Sequence, residues 1–534
     1  MPNVKQLFLW VSAFSILFIY LLSWVWSGAL WVYVFILPIV GLGLYDITQK
    51  THTILRLYPV IGHLRYLFES IRPEMQQYFV EDNINGSPVS REFRSLIYER
   101  AKGMRDTRPF GTQFDVYRVG YEWVNHSLAP KQAKQPKQAK HEACRIRFGG
   151  SACLQPYESA IFNISAMSYG ALSRHAILAL NRGAKIGGFF HNTGEGGLSP
   201  HHLQENGDLV WQIGTGYFSC RTHSGDFNPE LFVKNACHPN VKMIEIKLSQ
   251  GAKPGHGGIL PAAKVTPEIA QIRNVKLGED VESPPGHSAF STPIELLEFI
   301  QQLRELSQGK PIGFKLSLGK PEEFIAICKA MLKTGIKPDF ITVDGGEGGT
   351  GAAPIEFTNS VGTPLRDALN IVHSTLVGFG LKDEIRLIAS GKAFSAFHVF
   401  RLLALGADTV NSARGMMFAL GCIQSRSCNT NKCPTGIATQ DPSRYKALDI
   451  EIKGERVASY QAKLIKNLTE ITAAIGLSSP TEIQAKDLNR RVSATEVKTY
   501  AEIFPCLEKG CLLNEATVPI NWTKSWSLAS PSHW

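Results

Sequence analysis

Eight short runs of β-branched and apolar residues recur between residues 161 and 411, and each gives way to a Gly-rich or polar loop. They are Ile161–Ala166, Ile186–His191, Leu209–Ile213, Met243–Leu248, Ile312–Leu316, Phe340–Val343, Ile385–Ala389 and Asp408–Asn411. Helical stretches separate them. Strands that alternate with helices form a parallel sheet, and eight such units suit an α/β fold of the (β/α)8 TIM-barrel type. The third run is weak, and long insertions follow the third and fourth. A doubly wound sheet satisfies the same alternation. In a barrel, chemistry sits where strands end and loops begin. Met167 and Ser168, Asn192 to Gly197, Lys247 to Gly258, Lys315, Asp344 to Gly351, Ser390 to Lys392 and Arg414 all fall at such places.

The first fifty residues obey a different rule. Leu7 to Trp26 carries no charge and is long enough to cross a bilayer; Ala29 to Leu44 is a second, shorter uncharged run. Trp24, Trp26, Trp31 and Tyr33 gather where the two meet, as an interfacial aromatic belt does. Lys5 precedes the pair, and Lys50, Arg56 and Arg65 follow it. The excess of positive charge at both ends predicts a two-helix transmembrane hairpin with both ends, and the catalytic domain, in the cytoplasm. A signal peptide has a shorter apolar core and a small-residue cleavage site, whereas here a second apolar run follows. A monotopic anchor fits less well, because neither run is amphipathic.

Charge and cysteine usage narrow the function classes. The net charge of +10 arises largely between Arg56 and Lys140, including the spaced set Lys131, Lys134, Lys137 and Lys140. No aromatic residues interleave this set and no nucleic-acid-binding motif accompanies it, so a solvated linker near an anionic lipid face is expected, not nucleic-acid binding. Seven of the ten cysteines are scattered, which is no disulfide framework. The expected domains are the hairpin (1–50), a helical accessory region with the basic linker (51–143), the barrel (144–477) and a C-terminal extension (478–534).

The other three cysteines lie in Cys422-x5-Cys428-x4-Cys433, followed by Pro434. Three soft ligands within twelve residues can hold three irons, and with no fourth cysteine nearby the count fits a [3Fe–4S] cluster. Zinc with a distant His, or three unrelated structural cysteines, are the alternatives. Asp344 to Gly351 (DGGEGGTG) offers a backbone that can approach a phosphate or a flat ring, or else a flexible turn. Lys247 and Gln250 suit a carboxylate substrate. Lys315, flanked by apolar strand residues, is costly to bury unpaired. It faces either a flavin's N1 edge or a partner carboxylate inside the barrel.

Read together, these segments resemble the synthase domain of glutamate synthase. The similarity is carried by CIQSRSCNTNKCPTGIATQDP (Cys422 to Pro442) and KLSQGAKPGHGGILPAAKV (Lys247 to Val265), with SAMSYGALS, NTGEGG and DGGEGGTGAA in the same order. It covers roughly Cys144 to Leu477. The N-terminal hairpin is similar to that of a short, membrane-anchored branch of the family. The resemblance implies a barrel holding FMN and a [3Fe–4S] cluster, in which reduced flavin converts 2-iminoglutarate, from 2-oxoglutarate and ammonia, to L-glutamate. It implies that Met167 and Ser168 touch the flavin ring and Lys315 its N1 side, with Gly345, Gly346, Gly391 and Arg414 round the ring and phosphate. Lys247, Gln250 and Arg273 would hold the 2-oxo acid's carboxylates, and Glu195 would face the reacting carbon as an acid or orienting group. Cys422, Cys428 and Cys433 would ligate the cluster.

The departures are equally specific. His256 stands where the family usually has Glu. Asn411-Ser412-Ala413-Arg414 replaces a Gly-Phe-Gly-Thr type of run, so Arg414 is expected to clamp a phosphate with a charged fork. Neither an amidotransferase domain nor a Gly-rich β-helix is expected, so ammonia would come free or from a partner. Ferredoxin, a reductase subunit or a membrane quinone system would donate electrons. A flavin and Fe–S redox relay or sensor without amination is the alternative function, and a barrel enzyme for an unrelated small substrate a third.

Overall fold

The computed structural model describes residues 3–104, 106–133 and 144–534. Lys134, Lys137 and Lys140 of the basic linker lie outside them. The chain divides into two compact units, Met1–Glu92 and Phe93–Trp534.

In the first unit the helix Val4–Ser23 is followed by a 3-10 turn, Ser27–Val32, and the helix Tyr33–Thr48. Both arms are long and apolar enough to cross a membrane. They pack as a hairpin. A Cβ on Gly43 would strike the Phe8 ring, so only a glycine permits this approach. The Tyr33 hydroxyl donates to the Ile16 carbonyl at 2.7 Å, which satisfies its polar tip within the hairpin.

The second unit is built on a closed barrel of eight parallel strands: β1 Phe162–Ile164, β2 His191–Asn192, β3 Leu209–Ile213, β4 Val241–Lys247, β5 Ile312–Leu316, β6 Phe340–Asp344, β7 Arg386–Ser390 and β8 Thr409–Ser412. Each pairs with the next, and β8 returns to β1 through Val410 opposite Phe162. The expected TIM barrel is therefore the observed architecture, and the doubly wound sheet is not. β2 differs most from expectation. Ile186 belongs to the helix Arg174–Gly187, which stops at Gly188 in the left-handed conformation (φ 66°) and leaves only two residues of strand.

A hairpin of Arg145–Phe148 and Tyr157–Ala160 closes the N-terminal end of the barrel. Phe148 is fully buried against Phe190, Val210, Met243, Phe340 and Ile388. Phe148→Ala is expected to cost about 3–5 kcal/mol through lost burial and a residual cavity. A thermal melt of purified protein reads this directly.

A three-stranded antiparallel sheet joins the segment before the linker to the C-terminal extension: Glu122–Val124 pairs with Leu488–Arg491, and that with Val497–Thr499. Glu122, almost fully buried, accepts from Arg366 (2.6 Å), Arg401 (2.8 Å), Arg490 (3.1 Å) and the Tyr500 hydroxyl (2.6 Å). Burial opposes its charge, but Arg401, Tyr500 and Arg366 outweigh that and hold the carboxyl below its usual range. A depressed carboxylate contributes stability above its unfolded pKa and loses it as pH falls through the folded value. Glu122→Ala leaves three arginines without their shared partner, at an expected cost of about 3–5 kcal/mol. Limited proteolysis should then release the C-terminal extension at neutral pH, as acid should in the wild type.

Candidate active site at the C-terminal mouth of the barrel

Below the mouth, the barrel interior holds a fully buried carboxylate. Glu245 of β4 accepts from Asn192 Nδ2 (2.8 Å), Gln212 Nε2 (2.5 Å) and Thr342 Oγ1 (2.6 Å). Strands β2, β3 and β6 thus converge on one acceptor, satisfying a group that is otherwise costly to bury.

Above it, Lys247 ends β4 and its Nζ reaches Glu195 Oε2 at 2.5 Å, with both side chains mostly buried. Glu195 stands on the loop after β2, and glycines make its berth: a Cβ on Gly258 would lie against its carboxyl group, and one on Gly214 against its Cβ. Burial alone would raise its pKa. Lys247, then Lys253 and Arg273, reverse that and hold it down to about 2. Arg273 ends the helix Pro267–Arg273 and is buried. It donates to the Tyr169 carbonyl at 3.0 Å and stacks over the Phe218 ring, while its Nε has no partner. Burial lowers its pKa to about 10 against the pull of Glu195. Gln250 lies half-buried between Lys247 and Gly251, on the loop that leaves β4.

Lys315, in β5, is buried and pairs with Asp344 Oδ2 at 3.0 Å. Burial disfavours its charge, but Asp344 and Glu245 outweigh it and raise its pKa. Of the two environments left open by the sequence, the partner carboxylate is present, and an ammonium has donors to spare for a second acceptor. Gly345 and Gly346 follow β6. Their N–H groups donate to the Ser390 and Thr363 carbonyls at 3.0 and 2.8 Å, so these two amides shape the loop from within. Gly391 follows β7 with Lys392, and Arg414 follows β8. Arg414 donates to the Glu347 carbonyl at 2.8 Å, and a Cβ on Gly349 would strike its side chain. Burial and then Arg414 lower the Lys392 pKa, so the loops after β7 and β8 each contribute a cation that feels the other. These loops are where barrels of this type place a phosphate.

Met167 is buried and Ser168 half-buried on the loop after β1. A Cβ on Gly194 would strike both their amides, so the loops after β1 and β2 lie backbone to backbone. The loop after β1 is also fastened to the cysteine segment. Ser173 Oγ donates to the Gly436 carbonyl (2.7 Å), and Gln440 Nε2 to the Gly170 and Leu172 carbonyls (3.0 and 2.8 Å).

Cys422, Cys428 and Cys433 are in no disulfide. Burial, and to a lesser degree Cys428 and Cys433, push Cys422 up to about 12. At Cys433 burial is overcome by the Thr435 hydroxyl and by backbone N–H groups, which lower its pKa. Lys264 is buried beside Cys428 and Cys433, and burial brings it down to about 8. Cys428 and Cys433 thus feel both Lys264 and the Cys422 thiol. Among the described residues, no three His, Cys, Asp or Glu side chains close on a single metal ion. Three cysteine thiols supply one soft donor per iron, the count that a [3Fe–4S] cluster would need.

Residues 128–478 match the model of the conserved region in glutamate synthase, which is more than half the chain. The chain belongs to the glutamate synthase family. It is an oxidoreductase of that family. It is 40% identical over 470 residues to the glutamate synthase large subunit-like protein YerD of Bacillus subtilis, covering 82% of this chain and 89% of that one. It is 38% identical to the archaeal glutamate synthase [NADPH] of Methanocaldococcus jannaschii and 36% identical to the archaeal-type enzyme of Thermotoga neapolitana, covering 59% of each chain in both pairs.

Within this glutamate synthase-family site, three residues escaped the sequence reading. Lys253 sits in Gly-Ala-Lys-Pro, a surface-loop composition, yet it is 2% exposed and turned toward Glu195. Lys264 appears only as a distant residue of the same motif. His287 comes from the insertion after β4. Its Nε2 lies 2.9 Å from the Lys247 carbonyl, and its Nδ1 lies 3.0 Å from the Tyr217 hydroxyl. Burial lowers its pKa to about 4, so the ring is neutral at pH 7. A carbonyl only accepts, so Nε2 carries the proton and Nδ1 accepts from Tyr217. His256, the departure from the family's Glu, folds onto its own loop with Nδ1 3.0 Å from the Gly257 carbonyl.

Proposed function

We propose that the chain is a membrane-anchored, FMN-dependent enzyme that reductively aminates 2-oxoglutarate, through 2-iminoglutarate, to L-glutamate. Free ammonia or a partner supplies the nitrogen. Cys422, Cys428 and Cys433 would hold a [3Fe–4S] cluster, and ferredoxin or a reductase subunit would be the electron donor. The observation that carries this reading is the convergence of Lys247, Lys253 and Arg273 on Glu195 at the mouth of the barrel. Three cations around one carboxylate form a pocket with net positive charge, suited to a dianionic 2-oxo acid. A redox relay has no need of such a pocket.

When bound, FMN supplies a hydride equivalent and the cluster supplies single electrons. The chain's own residues do the rest. Lys247 exchanges Glu195 for a substrate carboxylate. Arg273, already fixed by the Tyr169 carbonyl, holds the second. Held ionised in the free site by Lys247, Lys253 and Arg273, Glu195 accepts from an N–H of the protonated imine and orients it; hydride addition to that cation yields the neutral amine, so no further proton is needed. His287 holds the strand end that carries Lys247. Lys315 would present positive charge to the flavin ring, and Lys392 and Arg414 would hold the phosphate. The two apolar helices and the positive charges that flank them support a membrane anchor with this chemistry on the cytoplasmic side.

The test is anaerobic. The bound flavin is photoreduced, 2-oxoglutarate and ammonium are added together or singly, and flavin reoxidation and glutamate are followed. Reoxidation that requires both reagents is expected. A reduced flavin indifferent to both would overturn the proposal. Arg414→Ala is expected to weaken FMN binding by about 10- to 100-fold, the worth of one charge-assisted contact of about 1.5–3 kcal/mol. Flavin retained per chain after gel filtration measures it.

A further inference from the structure

In the first unit, the helix Gly62–Met75 runs into a π-helical turn, Gln76–Val80. Ile61, Leu64, Phe68, Ile71, Met75 and Phe79 lie along it at spacings of three and four. They are exposed, Ile61 to 62%, Phe68 to 63% and Phe79 to 77%. At about 100° per residue, the helical members of this set fall within one sector, and Arg65 and Arg72 border it. Glu69 lies beyond them and pairs with Arg65 at 3.0 Å. A stripe of this size left bare is unusual on a soluble surface and calls for a partner.

The stripe is rigidly continuous with the apolar hairpin. Asp46, two residues before the end of the helix Tyr33–Thr48, is fully buried. It accepts from the Val60 N–H at 2.9 Å and pairs with His63 Nε2 at 2.9 Å. Val60 is β-branched yet left-handed, with φ 64°. This strained conformation is held by its bond to Asp46 and turns the chain into the helix. Gly62 then packs on the Leu55 backbone, where a Cβ would be crowded. The polar end of the hairpin therefore fixes where the amphipathic helix begins. Lys50, Arg56, Arg65 and Arg72 follow the hairpin in the sequence, positive charge suited to anionic headgroups.

We propose that Gly62–Val80 is an interfacial foot that lies with its apolar stripe in the headgroup and acyl boundary of the bilayer that the two apolar helices cross. The proposal rests on reading those helices as membrane spans. An amphipathic helix with a cationic border and large apolar side chains is the form that binds in this way. The occupant is lipid, in direct continuation of the surface of the hairpin.

Photo-crosslinking of the full-length protein in phosphatidylethanolamine and phosphatidylglycerol vesicles separates the possibilities. p-Benzoylphenylalanine replaces Phe68, Phe79, Glu69 or Trp10, one at a time, and adducts are identified by mass spectrometry. Lipid adducts at positions 68, 79 and 10, with none at 69, are expected. Lipid at position 10 with only protein adducts at 68 and 79 would overturn the foot and leave the spans standing. Absence of lipid at position 10 would remove the spans, and with them the proposal.

Discussion

Lys247→Ala protein is expected to fold, retain its flavin and lose most of its reactivity toward 2-oxoglutarate. Removing one partner of a buried, hydrogen-bonded charge pair costs about 2–5 kcal/mol, which corresponds to roughly a 30- to 4000-fold fall in the second-order rate of flavin reoxidation. The loss has two sources: the substrate carboxylate loses its cation, and Glu195 loses the nearest of the three charges that keep it ionised. The pH profile distinguishes them. In the wild type, Glu195 titrates at about 2, so the rate carries no inflection from it between pH 5 and pH 8. Its depressed pKa contributes stability above the unfolded value and gives it up only as pH falls through about 2. In Lys247→Ala the carboxyl moves upward, and an acid-side inflection is expected to enter the profile. An unchanged rate would move the oxo-acid site elsewhere.

Cys428→Ser is expected to separate the two halves of the reaction. Reduction by an external protein donor should fall to background and the cluster's paramagnetic signal should vanish. The photoreduced flavin should still react with oxo acid and ammonium. Hydrogen bonds other than those of the cysteine sulfurs also hold the segment. Thr439 Oγ1 donates to the Asn431 carbonyl at 2.6 Å, the Gln440 N–H donates to Asn431 Oδ1 at 2.7 Å, and the Tyr98 hydroxyl donates to the Cys422 carbonyl at 2.5 Å. A melting temperature within a few degrees of wild type is therefore expected, since a surface-level change of about 1 kcal/mol moves a domain of this size by about 2–4 °C. Donor-driven turnover that survived in Cys428→Ser would place electron entry outside the cysteine segment.

The barrel was legible because its strands are buried on both faces. Phe340–Val343 is an unbroken apolar or β-branched run, Leu209–Ile213 and Ile312–Leu316 are apolar but for Gln212 and Lys315, and the same residues are strands in the fold. The second strand misled for a local reason. Ile186 and Phe189 look like strand residues, but the positive φ of Gly188 ends a helix there. Within the site, Lys315 was legible as a lone charge in an apolar strand, and Lys247 as a charge at the end of an alternating one. Lys253 was not, because its burial depends on the loop after β4 folding over Glu195, a long-range event that local composition does not record. The amides of Gly345 and Gly346 show the converse. A Gly-rich run signals backbone freedom, but where each N–H points depends on Ser390 and Thr363, distant in the chain.

The hairpin that closes the base of the barrel bears on how the protein is made. Phe148 emerges from the ribosome long before Phe340 and Ile388, two of the residues it packs against. At about 5–20 residues per second, the stopper waits roughly 10–50 s for the last part of its seat. Throughout that interval its aromatic face is open to mispairing. The nascent chain therefore passes through a stage in which a holdase that covers residues 145–160 would raise yield without touching the finished enzyme.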